Sequence, residues 1–148
     1  MQHYYEDLEV GTAFETPGVT LTEDAIIRFG LEYDFQPFHI DKIAAKASAF
    51  GGLVASGLQT LVLSVRQCNQ THLFSQAIAG LGFEKVKFHL PVSPGTTLRV
   101  RVSVTARRLS KSRPDAGIVN WHLETIDQDN RVVMSMDMGS LIKRNRAS

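Results

Sequence analysis

Leu98-Arg99-Val100-Arg101-Val102-Ser103-Val104-Thr105 alternates apolar and polar residues without a break. A period of two places Leu98, Val100, Val102 and Val104 on one face and the charged and hydroxyl side chains on the other. The segment is therefore read as a strand with one buried and one wet face. Similar strands are read at Phe83 to Leu90, Ile118 to Ile126 and Val132 to Ile142. Turn chemistry separates them at Ser93-Pro94-Gly95, Pro114-Asp115-Ala116-Gly117 and Asp127 to Asn130, so the strands are expected to be antiparallel and linked by hairpins. A further strand from Thr12 to Val19 brings the sheet to about five.

Upstream of about residue 76 the period is helical. Thr22 is placed to cap a helix whose positions Ile26, Phe29, Gly30 and Tyr33 follow spacings of three, four and seven. Pro37 ends that helix near Asp34, because it lacks an N–H and biases Gln36 toward extended backbone. Asp41 caps a short second helix through Ile43, Ala44, Ala45 and Ala47. After Gly51 and Gly52 a third helix starts near Ser56 and carries Leu58, Leu61, Val62, Val65 and Cys68 at helical spacing; it is expected to be the most buried helix. The fold class is α+β, one long helix covered by a curved antiparallel sheet in a single domain over residues 1–148.

Composition narrows the function classes. A chain of 148 residues, 43% hydrophobic and 21% charged, is long enough for one core and excludes collagen-like or broadly disordered readings. Its formal charge of +1 gives no sequence-wide field toward nucleic acid or anionic lipid. Cys68, the single cysteine, allows no intrachain disulfide and is read as a small buried side chain. Met1 to Val10 holds Glu6, Asp7 and Glu9 and no apolar core of a secretory signal, which fits a reducing cytoplasm. Ala47 to Val65 carries no charge, but its serines, glycines, Gln59 and Thr60 place it in protein, not lipid.

The chemistry centres on Tyr33-Asp34-Phe35-Gln36-Pro37-Phe38-His39-Ile40-Asp41. In one unbroken helix, residues five apart would point about 140° apart. By interrupting the helix, Pro37 lets the Asp34 carboxylate and the His39 imidazole, expected in the following loop, converge. Groups with ordinary pKa values of about 3.9 and 6.5 can accept one proton and supply another near neutrality. The same spacing also fits an Asp34 that holds the turn and a His39 packed on a neighbouring carbonyl. Downstream, Phe50-Gly51-Gly52-Leu53-Val54-Ala55-Ser56-Gly57 leads into the third helix, whose first N–H groups lack partners and carry partial positive charge. Gly57 would let a substrate oxygen approach the backbone there, or would serve as a hinge for close packing.

Asp34 to Asp41, Ala45 and the Phe50 to Gly57 run together resemble the hydratase motif of the MaoC-like dehydratase family, and Leu90-Pro91-Val92 through Gly95 and Leu98 resemble its turn into a long strand. The resemblance implies a hot-dog fold, an antiparallel sheet wrapped around a central helix, with two subunits pairing their sheets into a homodimer. It implies reversible hydration of a trans-2-enoyl thioester, usually on coenzyme A, to a 3-hydroxyacyl thioester of R configuration. Asp34 and His39 match the catalytic pair, and Gly57 matches the thioester-binding N–H. Coenzyme A enters as part of the substrate; neither a metal nor a redox cofactor is required. Gln36 and Ser56 depart from the family pattern, standing where many members have Asn and His.

The remaining candidates have plainer readings. Asp41 is a helix cap. His3, His72, His89 and His122 show no metal-ligand spacing. Ser56 and Ser64 lack the context of a serine nucleophile. Arg107, Arg108, Lys111 and Arg113 form a solvated hairpin edge, and Lys143, Arg144 and Arg146 a frayed tail. Two other functions use the same acyl-thioester pocket: a thioesterase, in which water attacks the carbonyl, and a noncatalytic acyl-thioester-binding protein. No membrane or nucleic-acid partner is expected.

Overall fold

The computed structural model describes residues 2–146. After a single 3-10 turn at Tyr5–Asp7, the chain forms β1 (Ala13–Glu15), β2 (Val19–Thr20), α1 (Glu23–Tyr33), α2 (Pro37–Ile40), α3 (Lys42–Lys46), α4 (Gly57–Gln70), β3 (Ala77–Phe88), β4 (Thr97–Leu109), β5 (Ala116–Ile126) and β6 (Val132–Lys143). The strands make one antiparallel sheet in the order β1-β4-β5-β6-β3, with β2 also on β4. This is the expected hot-dog arrangement, with six strands instead of about five. The extra strand arises because Thr12 to Val19 does not run continuously: Pro17, which has no N–H, separates β1 from β2.

The alternation in β4 holds. Leu98, Val100, Val102 and Val104 are buried, and with Trp121, Leu123, Met134 and Met136 they form the core under the helices. Each such side chain contributes about 1.5–3 kcal/mol by leaving water. Phe74 meets the buried Trp121 ring edge-on at 5.1 Å.

The long helix corrects the sequence reading. Of the apolar positions assigned to the buried face of α4, only Cys68 is fully buried; Leu58 and Val62 are 50% and 51% exposed. Gln59, Thr60, Ser64 and Gln67 are buried instead. Partners brought from elsewhere make that tolerable. Gln59 donates to the Ala25 carbonyl (3.0 Å), Gln67 to the Pro17 carbonyl (2.8 Å), and the Ser64 and Thr125 hydroxyls stand 2.6 Å apart. Burial pushes the Cys68 thiol up to about 12, so it is inert at neutral pH.

Other expectations are refined at the edges. Thr22 and Asp41 cap their helices as read: Thr22 accepts from Ala25 N–H, and Asp41 from Ile43 and Ala44 N–H. Arg107 is not merely a solvated edge, since its guanidinium binds the Tyr5 carbonyl at 2.9 Å and covers the Tyr5 ring. The tail is tied down too: Arg144 N–H donates to the Asp115 carbonyl, and Glu6 accepts from the Arg144 side chain. No helix of the described residues is long and apolar enough to cross a membrane.

Candidate active site

Three helix ends meet at the site. Asp34 is the C-cap of α1, Pro37 opens α2 at its first turn, and Ser56 is the N-cap of α4. Pro37 thus starts a new helical turn, and His39 sits within it and not in a loop as expected. A proline at the first position of a helix loses no internal hydrogen bond and has the required φ already set. The turn is pressed onto α1 at Gly30, where an added Cβ would lie 2.7 Å from Ile40 Cγ2 and 3.0 Å from His39 Cβ.

His39 is buried and held through one ring nitrogen. Nδ1 lies 2.6 Å from the Val54 carbonyl oxygen, which can only accept, so Nδ1 carries the proton. Nε2 then faces the Asp34 carboxylate, 3.4 Å from Oδ2. The clamp is backed by the Val54 N–H, which donates to the Phe38 carbonyl at 3.0 Å. Asp34 is held in turn: the Ser56 hydroxyl donates to Oδ2 at 2.6 Å and the Gln36 side-chain amide to Oδ1 at 2.8 Å. These two hydrogen bonds, with a smaller effect of His39, outweigh desolvation and hold the Asp34 carboxyl below the usual aspartate range.

Asp34, His39 and Gly57 line one cavity of about 500 Å³, walled mainly by Phe38, Phe50, Val54, Leu58, Phe88 and Val92. The structure therefore brings together all three residues singled out in the sequence. Among the described residues the Gly57 N–H donates to no protein acceptor, consistent with its place at the start of α4. Of the two readings of Gly57, close packing has a visible cause. The side left vacant by the absent Cβ is occupied by the Phe88 ring, whose nearest atoms would stand 2.7 Å from such a carbon. Among the described residues no three His, Cys, Asp or Glu side chains converge as a metal site would require.

Residues that the sequence reading left out of the site are those that join it through the fold. Val54 contributes a backbone carbonyl, which no side-chain pattern announces, and Phe88 arrives from β3 across the cavity. Gln36 and Ser56, to which the sequence reading gave no part in the site, are the two hydrogen-bond donors to Asp34. The position of Ser56 ahead of the apolar helix was the one available signal.

A model of the MaoC like domain matches residues 7–125 of the chain. The chain belongs to the MaoC-like domain family. It is 38% identical to a MaoC-like dehydratase from Rhodospirillum rubrum of known crystal structure, covering 97% of this chain and 98% of that one with a TM-score of 0.91. An uncharacterized protein of Bacillus subtilis, YdeM, is 31% identical over 140 residues, 94% of this chain and 98% of its own. A mesaconyl-CoA hydratase of Haloarcula hispanica is 45% identical over 49 residues, which are 33% of this MaoC-like chain but 14% of that larger protein. The match is thus to full-length relatives in the first two cases and to a short segment in the third.

Proposed function

We propose that the protein is a hydro-lyase that adds water reversibly to a trans-2-enoyl-CoA, or a related acyl thioester, and gives the R 3-hydroxyacyl thioester. The observation that carries this reading is the facing pair of His39 Nε2 and Asp34 Oδ2 at 3.4 Å, in a cavity that Gly57, the first residue of α4, also lines. Relatives named dehydratase and mesaconyl-CoA hydratase support the same class of chemistry.

The geometry suits each part of the step. A water held by Asp34 and His39 gives a proton to the pair as its oxygen bonds to C3; the C2=C3 π electrons move toward the thioester carbonyl, and C2 takes a proton from the same pair. Both additions then occur on the face of the alkene turned to these residues. The negative charge that develops on the thioester oxygen is met by the Gly57 N–H at the positive end of α4. One such donor is worth about 10²- to 10³-fold, and positioned acid–base groups about 10²- to 10⁴-fold. The apolar wall of Phe38, Val54, Phe88 and Val92 receives the acyl chain, and coenzyme A is carried in with the substrate.

The working unit of this reading is a homodimer in the cytoplasm. Leu58 and Val62 of α4 and Leu81, Phe83 and Phe88 of the edge strand β3 leave an apolar surface that this chain does not cover. Pairing β3 with its copy would remove both that surface and the open sheet edge.

Purified protein supplied with crotonyl-, octenoyl- and branched enoyl-CoA is expected to consume the conjugated enoyl group and yield the R product. Asp34→Asn and His39→Gln should fold normally and lose most of that activity. Near-normal rates in both variants would refute the assignment, and release of free thiol with the alkene intact would identify a thioesterase.

A further inference from the structure

We propose that Ser56 is a positioning residue that couples the N-terminus of α4 to the Asp34 carboxylate. This rests on the hydratase reading only for its effect on turnover. The Ser56 Oγ accepts the Leu58 N–H at 3.2 Å, and its single proton goes to Asp34 Oδ2 at 2.6 Å. A hydroxyl that accepts from one charged or polarised donor becomes a better donor itself. The positive end of α4 is thereby relayed through one O–H group to the oxygen that also faces His39. Gln36 holds the other oxygen, so the plane of the carboxylate is fixed from both sides.

The surroundings leave Ser56 few rivals for this effect. His39 of α2 is the titratable group in contact with Asp34, and among the described residues His89 is the one other titratable side chain lining the cavity, with no Lys, Arg or Glu there. The side chain is 1% exposed, so bulk water does not replace its hydrogen bond. Ser56 is also a helix cap, and the two roles must be separated. Glycine serves as an N-cap at a cost of only a few tenths of a kcal/mol yet supplies no hydroxyl.

The test compares wild type, Ser56→Gly and Ser56→Thr. On the free protein, the Asp34 carboxyl is titrated by carbon-detected NMR; with crotonyl-CoA, kcat and KM are measured across pH. In Ser56→Gly the Asp34 titration and the acid limb of the rate profile should move to higher pH. Its kcat should fall about 10- to 100-fold, the loss of one hydrogen bond to a charged group, with little change in KM. Ser56→Thr, which keeps the hydroxyl, should return these values toward wild type. A folded Ser56→Gly protein with an unmoved Asp34 titration overturns the proposal, as does a folded Ser56→Thr protein that resembles Ser56→Gly. Failure of the wild type to hydrate any enoyl-CoA refutes the hydratase reading alone, because the NMR titration decides the role of Ser56 without turnover.

Discussion

Gly30→Ala separates stability from catalysis at a position that touches no substrate. An alanine Cβ there would stand 2.7 Å from Ile40 Cγ2, 3.0 Å from His39 Cβ and 3.1 Å from the His39 carbonyl oxygen. Carbon atoms in ordinary contact are about 3.5–4.0 Å apart, so α2 would have to retreat by about 0.8 Å at Ile40. The Ile40 methyl could rotate away, but the His39 carbonyl is backbone and can move only with the turn that carries the imidazole. Two energies oppose each other in the folded protein. Alanine in place of glycine inside a helix gains about 0.5–1 kcal/mol, whereas overpacking costs about 1–3 kcal/mol. The net loss of at most about 2.5 kcal/mol should lower the melting temperature by no more than about 10 °C for a chain of this size. A misplacement approaching 1 Å between reacting groups, in contrast, costs about 10²-fold in rate. The expected result is a folded variant with a modest change in thermal unfolding and a fall of roughly two orders of magnitude in hydration rate. A folded Gly30→Ala protein that turns over at the wild-type rate would show that α2 does not need this contact to aim His39.

Gly57→Ala should push the Phe88 ring out of its seat. A double-mutant cycle with Phe88→Ala, read by denaturant unfolding, is expected to give a coupling of about 0.5–3 kcal/mol, and additivity would mean that the two do not press on each other. Asp127 tests pH dependence. Burial alone raises its carboxyl, but the Arg131 N–H, the Arg131 guanidinium and the Asp129 N–H together hold it below the ordinary aspartate range. Its stabilisation is therefore present above the unfolded value of about 3.9 and lost as pH falls through the lower folded value. Asp127→Asn should be less stable than wild type at neutral pH, with the difference shrinking in acid; a gap that is constant with pH would contradict this. Val62→Asp, on the exposed apolar face of α4, should leave the monomer fold nearly unchanged and convert dimers to monomers in sedimentation velocity, whereas an intact dimer would remove that face from the proposed interface.

How far the sequence could be read depended on whether the deciding contact was local. The β4 alternation is local, because each residue's side follows from its neighbours, and it appears as expected. The beginning of β3 is not. Ala77-Ile78-Ala79-Gly80-Leu81-Gly82 has two glycines and no clean alternation, and it becomes a strand through irregular pairing with β6. The face of α4 was misread for a related reason. Periodicity identified an apolar stripe, but it could not tell a stripe that meets the chain's own sheet from one left outside it. Nor could it foresee that the Ala25 and Pro17 carbonyls and the Thr125 hydroxyl would pair with a polar face turned inward, even though Gln59 Oε1 finds no partner among the described residues.

The site shows the same division, with one physical consequence. The meeting of Asp34 and His39 was legible because Pro37 breaks the helix between them. The environment that makes the meeting useful was not, because it comes from Val54, Ser56 and Phe88 in later segments. Asp34 sits at the C-terminal end of α1, where the partial charge is negative and a carboxylate is disfavoured by about 0.3–1 kcal/mol. Left there alone it would be held less readily in its ionised form. The fold reverses that sign by bringing the opposite end of another helix against it: α4 begins at Gly57, and the Ser56 hydroxyl carries its influence onto Oδ2. With Gln36 on the other oxygen, the net effect is an ionised carboxylate at the wrong end of its own helix. A group kept in an unfavourable local position by hydrogen bonds from its own turn and from the start of another helix is where a fold gives up local consistency for chemistry. The glycine at position 30 and the serine at position 56 are then two parts of one device, the first setting where the imidazole stands and the second setting the orientation and charge of its carboxylate neighbour.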